Sequence, residues 1–121
     1  MNPAGARAED LCAELLRRSG LRVLERNWRC RHGEIDVIAE EGGTLVFAEV
    51  RYRRSARFGG AAESVTGAKQ ARLAAAARLY LSLYMARRRR EPACRFDVLL
   101  LEGDTPEDVA NIRWIRDAFQ A

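Results

Sequence analysis

Gly33-Glu-Ile-Asp-Val-Ile-Ala-Glu-Glu41, then Gly42-Gly43, then Thr44-Leu-Val-Phe-Ala-Glu-Val-Arg51, read as a β-hairpin: two alternating, β-rich runs around a two-residue glycine turn. With Glu41 paired to Thr44, every other cross-strand pair follows by counting outward. Ile35 then stands opposite Val50, Val37 opposite Ala48 and Ala39 opposite Val46, one apolar face that would fix the register against a core. The reverse face pairs Ile38 with Phe47, Asp36 with Glu49 and Glu34 with Arg51, so its polar groups gather away from the turn. Two directly opposed carboxylates repel. At about 5 Å and an effective dielectric of about 20 the cost is on the order of 3 kcal/mol before screening, which calls for a shared proton or a bound cation. A divalent metal is the more useful solution.

Outward from the hairpin, residues 6–19 carry Ala8, Leu11, Cys12, Leu15 and Leu16 at helical spacing, and Gly20 stops that helix. Leu21 to Arg29 reads as a strand leading into the hairpin. After a loop from Arg53 to Gly60, Thr66 is an N-cap for a helix running toward Arg87 to Arg90. That helix is apolar around most of its circumference, which predicts substantial burial. The four arginines read as a solvated helix end, where the dipole favours cations. Pro92 closes the helix, Arg95 to Leu101 is a further strand, and Val109 to Ile115 a last short one followed by a terminal turn. The order is α-β-β-β-α-β-β.

At 121 residues the chain reads as one domain, 1–121, able to bury roughly two-thirds of its unfolded surface. Its longest apolar run, Leu73 to Ala86, is broken by Arg78 and Ser82, and the N-terminus has no signal-peptide segment, so a soluble, cytoplasmic protein is expected. Cys12, Cys30 and Cys94 are odd in number and widely spaced, which indicates neither a disulfide framework nor a zinc site. Net charge is +4, with twenty arginines against the single Lys69. Genome base composition is the plain and favoured explanation of that bias. Arg51, Arg53, Arg54 and Arg57 nonetheless suit phosphate, because guanidinium binds it bidentately and keeps its charge.

An acid on one strand, a tight turn and Glu-x-basic on the next, flanked by helices, is the pattern of the PD-(D/E)xK nuclease superfamily. Gly33-Glu34-Ile35-Asp36-Val37-Ile38 with Leu45-Val46-Phe47-Ala48-Glu49-Val50-Arg51-Tyr52-Arg53 resembles the bacterial YraN family, related in fold to Holliday junction resolvases. Ala8-Glu9, Cys12-Ala13, Asn27-Trp28-Arg29, Gly59-Gly60, Val65-Thr66, Lys69-Gln70 and Arg95-Phe96-Asp97-Val98 extend the resemblance over nearly the whole chain. It implies an α/β, restriction endonuclease-like fold with a mixed central sheet between helices. It also implies a Mg²⁺- or Mn²⁺-dependent nuclease hydrolysing phosphodiesters in DNA, with branched or structured DNA as a candidate substrate. The alternatives are a nuclease-like module that grips nucleic acid with little or no hydrolysis, or an interaction module that keeps only the fold. Nucleic acid is the expected partner, DNA ahead of RNA, and homodimerisation is left open.

Within that reading Asp36 and Glu49 are metal ligands and catalytic residues, with the Val50 carbonyl as a further oxygen. Glu9 matches the first-helix glutamate of resolvase-like nucleases and would complete the acidic cluster; alone it reads equally as an acid near a helix N-terminus. Arg51 occupies the place usually held by lysine. It stays charged, so it can position a nucleophile or neutralise developing charge but cannot move a proton. Lys69, in the first turn of the second helix, would supply the missing basic group if its ammonium reaches the acids; otherwise it is an exposed residue contacting phosphate or nothing. Arg51, Arg53, Arg54, Arg57 and Lys69 are the nucleic-acid-binding candidates. Glu34 is expected to pair with Arg51, and His32 to be a strand-end residue opposite Arg53. Asp97 is expected to partner Arg95 or a nearby helix, and Trp28, Trp114, Tyr80 and Tyr84 to be core.

Overall fold

The structure is a computed structural model that describes residues 3–53, 65–86, 91–103 and 112–120, with side chains from residue 5. Seven elements follow in the expected order: α1 (Pro3–Arg18), β1 (Arg22–Cys30), β2 (Gly33–Glu41), β3 (Thr44–Arg53), α2 (Gly67–Met85), β4 (Cys94–Glu102) and β5 (Ile112–Phe119). The strands form one mixed sheet in sequence order, antiparallel except for the β3–β4 pair, which is parallel. A parallel pair needs a crossover, and α2 lies between its two strands in the chain.

Local chemistry sets the boundaries. Gly42 and Gly43 both take positive φ, 54° and 87°, as a tight turn between antiparallel strands requires, and Glu41 pairs with Thr44. Gly20, at φ 94°, ends α1 with the Leu21 N–H bonded to the Leu16 carbonyl at 3.0 Å. Thr66 caps α2, its hydroxyl accepting from the Lys69 N–H at 3.3 Å.

The two sheet faces carry separate cores. Val37, Ala39, Val46, Ala48, Leu99 and Leu101 pack against Ala8, Leu11, Cys12 and Leu16 of α1. Ile38, Leu45, Phe47, Phe96, Val98 and Leu100 pack against Leu73, Ala74, Ala76 and Ala77 of α2. One hairpin residue departs from the alternation. Ile35 belongs to the α2 cluster rather than to the face of Val37 and Ala39. Strict period two holds only while β2 runs straight beside β3, and their pairing ends at Val37.

Two further expectations change. The last strand does not stop at 115 but continues to Phe119, through a register shift against β4 that sets Asp117 at φ 51°. Asp97 anchors that bulge, accepting from the Asp117 N–H at 2.9 Å. The second helix is also less covered than its composition predicts: Leu83 is 55 % exposed and Met85 36 %. Among the described elements α2 lies chiefly on β2, so its far side has no layer to meet. It ends at Met85, and Arg87 to Arg90 lie outside the described residues.

Candidate functional site

The β2–β3 ladder runs from Glu41 and Thr44 to Val37 and Ala48 and stops. β2 remains paired with β1 as far as Gly33, and β3 with β4 as far as Arg53, so the sheet parts between β2 and β3 just where Asp36 and Glu49 stand. At the parting the Val50 N–H donates to Asp36 Oδ2 at 2.9 Å instead of to a strand carbonyl. A side chain thus replaces one rung of the ladder, and its carboxylate is held in place by the backbone it faces.

The first turn of α2 faces this gap. Lys69 Nζ lies 2.6 Å from Glu49 Oε1, and Arg51 Nη1 stands 3.9 Å from the same oxygen. Gln70 ties the turn to the preceding segment, donating from Nε2 to the Val65 carbonyl at 3.0 Å. A cleft of about 200 Å³ opens here, lined by His32, Gly33, Glu34, Asp36, Glu49, Lys69, Arg72 and Leu73. A wider groove of about 970 Å³ lies between β1 and the C-terminal half of α2, with Trp28, Tyr80, Leu83 and Tyr84 in its lining. It offers aromatic surface, and Glu25 is the one acid among its described lining residues.

Burial first, and then the charge of Glu49, raise the Asp36 pKa from 3.8 to about 8, against the lowering effect of the Val50 N–H. The neighbouring Glu49 carboxylate thus adds to burial in favouring the protonated form of Asp36, the physical expression of two acids that repel. Glu9 on α1 is 2 % exposed, and burial raises its pKa as well, partly offset by Arg26 and by a hydrogen bond from Asn27. Cys12, one α1 turn further on, has its thiol pushed up to about 12 by burial and by the charges of Asp36 and Glu9. The acids therefore share a poorly solvated floor. Among the described residues, no three His, Cys, Asp or Glu side chains are already gathered around one point, so an ion held by Asp36 and Glu49 would draw its other oxygens from Glu9 after adjustment, from backbone or from water.

Residues 8–101 match the uncharacterised protein family UPF0102. The chain belongs to this family, which is the YraN family. A UPF0102 protein of Nitrosococcus oceani is 49% identical over 116 residues, 96% of this chain and 90% of the relative. One from Cupriavidus taiwanensis is 49% identical over 118 residues, 97% and 82% of the two chains. One from Pseudomonas syringae pv. syringae is 45% identical over 118 residues, 98% and 94%.

The UPF0102 chain brings together Asp36, Glu49, Arg51 and Lys69, with Glu9 close on the α1 side. Other candidates stand apart. Glu34 does not meet Arg51; it pairs with Arg29 at 3.7 Å, its partner on β1, because the parting of β2 from β3 takes Arg51 out of reach. Arg53 does not face His32 but binds Glu102 on β4 at 2.9 Å. Arg54 and Arg57 lie outside the described residues. His32, in the β1–β2 turn, lines the cleft and accepts from Arg31 Nε at 3.3 Å. Asp97 is fully buried, held by Arg95 at 3.0 Å, Trp114 Nε1 at 2.9 Å and the Asp117 N–H. It is a structural carboxylate remote from the cleft lining. Tyr52 turns to the other side, its hydroxyl donating to the Gly103 carbonyl at 2.9 Å.

Sequence reading missed Arg72, which joins the cleft rim one turn after Lys69. Its signal was the i, i+3 spacing, which puts both cations on one side of α2. It also gave Asn27 no role, although that residue has a left-handed backbone, at φ 52°.

Proposed function

We propose that this UPF0102 chain is a metal-dependent nuclease that hydrolyses phosphodiesters in DNA, branched or structured DNA being the substrate class suggested by the likeness to resolvases. The observation carrying this reading is the largely buried acid pair at the parting of β2 and β3, with a lysine on one of its members. Apposed carboxylates weaken a metal-free fold, and hard oxygens of this kind are what Mg²⁺ and Mn²⁺ prefer. Asp36 and Glu49 would hold the ion, with Glu9 beside them. When bound, it would neutralise the pair, polarise a phosphate oxygen and lower the pKa of a water.

The chain's own groups would do the rest. The Val50 N–H orients Asp36, fixing one carboxylate oxygen. Arg51 remains charged and can stabilise negative charge developing on the phosphate. Lys69, unlike the arginines around it, can release a proton when desolvated, and its ammonium already sits against Glu49. Arg72 and His32 stand at the rim, where they can meet the flanking phosphate or the departing oxygen.

Cleavage of linear and branched DNA by the purified chain, followed with and without Mn²⁺, tests the reading together with calorimetric titration of Mn²⁺. Asp36→Ala is expected to abolish both metal binding and cleavage. Protein that neither takes up metal nor cuts any DNA form would refute it. A second reading, a binding module with little or no hydrolysis, is favoured by Arg51 at the customary lysine position and by the ion pair already made by Glu49. Salt-dependent DNA binding that needs no metal and survives Asp36→Ala would select it.

A further inference from the structure

Asn27 stands in β1 between Arg26, which pairs with Val37, and Trp28, which pairs with Ile35, so it lies across from Asp36. Its backbone is left-handed, at φ 52°, a region that disfavours side chains and that asparagine tolerates better than most. Its side chain hydrogen-bonds Glu9, and because a carboxylate can only accept, the Asn27 amide N–H is the donor. That leaves Asn27 Oδ1 buried with no hydrogen-bond partner.

Glu9 Oε1 is left in the same condition, buried and without a hydrogen bond, in a side chain only 2 % exposed. The cation paired with it among the described residues, Arg26 Nη2, is 3.7 Å away, beyond hydrogen-bond reach and already bonded to Asp10 at 2.7 Å. Two buried acceptors, joined through one hydrogen bond and facing Asp36, thus want either hydrogens or positive charge. Water would supply hydrogens but no charge, and Asp36, unlike Glu49 and Glu9, has no cation paired with it among the described residues. A divalent cation satisfies the oxygens and the charge together.

We propose that Asn27 belongs to the divalent-cation site, its N–H orienting Glu9 and its Oδ1 supplying a neutral oxygen to the ion or to the ion's own water. This rests on the metal reading of Asp36 and Glu49 and extends it to a β1 residue. It also gives the left-handed backbone a purpose, since glycine would take that conformation more readily but would bring no oxygen.

Calorimetric titration with Mn²⁺ alone, combined with thermal melting of the full chain, tests it with two variants. Asn27→Gly keeps the backbone conformation and is expected to melt cooperatively without metal, yet to bind Mn²⁺ roughly tenfold or more weakly, the usual loss for an outer or single ligand. Asn27→Asp replaces the neutral oxygen with a charged one and is expected to bind Mn²⁺ more tightly, while melting lower without metal. Unchanged Mn²⁺ affinity in Asn27→Gly, as a merely structural or water-bound Asn27 would give, overturns the assignment, as does weaker binding in Asn27→Asp. Should Asn27→Asp not fold, Asn27→Gly decides alone. A wild-type chain that takes no Mn²⁺ removes the nuclease reading as well, whereas wild-type binding matched by Asn27→Gly removes only the role of Asn27.

Discussion

Asp97 and Asp36 are aspartates of one sheet, and their surroundings are opposite. Asp97 is fully buried and meets a guanidinium, an indole N–H and a backbone N–H, so both its oxygens are satisfied. Asp36 has one backbone N–H and a second carboxylate. The first arrangement ties β4 to the bulge in β5 and stabilises the molecule. The second leaves a site whose lowest free energy requires something from outside, a proton or a cation. Burial therefore does not distinguish a structural acid from a chemical one; the donors around it do.

The largest effect expected from that contrast is on chemistry. Asp36→Asn or Glu49→Gln should lower metal-dependent cleavage by on the order of 10³-fold or more, while leaving the chain folded. A variant of either residue that cuts DNA as well as wild type would erase the distinction. Asp97→Ala should do the reverse, costing about 3 to 5 kcal/mol in urea denaturation because Arg95, Trp114 and Asp117 lose a buried partner, without direct loss of metal affinity. A cost below about 1 kcal/mol would mean that the Asp97 network adds little.

Lys69→Arg sharpens the comparison on the Asp36 side, because it keeps a cation beside Glu49 and removes a group able to give up a proton. Cleavage should fall by about 10² in single-turnover assays at saturating Mn²⁺. Undiminished cleavage would rule out proton transfer by Lys69. The smallest effect is on metal-free stability. The folded pKa of Asp36 exceeds its unfolded value, so the folded state holds the extra proton and wild-type stability declines as pH rises from about 4 toward 8. An asparagine in its place has no proton to lose. The Asp36→Asn variant should therefore match wild type in acid and exceed it by about 1 to 2 kcal/mol at pH 8, as read from melts in chelator. An advantage that shrinks with rising pH would contradict the raised pKa.

What could be read from sequence was what neighbours in the chain decide. The Gly42-Gly43 turn dictates the register from Glu41 and Thr44 to Val37 and Ala48, and Thr66 and Gly20 mark helix ends through local hydrogen bonds. The family followed from motifs spread along the chain. The placement of Lys69 near the acids came from resemblance and from its isolation as the sole lysine, not from periodicity. What failed depended on contacts between distant segments. Counting along a straight hairpin cannot reveal where β2 leaves β3, so it puts Ile35 on the wrong face and Glu34 beside the wrong arginine. The continuation of β5 past Ile115 depends on the hydrogen bond from the Asp117 N–H to Asp97, two residues far apart in sequence. Helix α2 reads as buried by composition, yet only the sheet beneath it determines which of its sides finds a partner.

The parallel β3–β4 pair has a kinetic consequence. A hairpin forms on the order of 1 to 10 μs, while pairing of segments as far apart as Leu45 and Cys94 must first close a long loop and is slow. Asp36 and Glu49 lie on the hairpin, whereas Lys69 reaches them only when α2 docks within the β3–β4 crossover. By contact order, the hairpin that carries the acids would form ahead of the crossover that delivers their lysine. Until α2 docks, the repulsion between the two carboxylates would go without the ammonium that offsets it at Glu49.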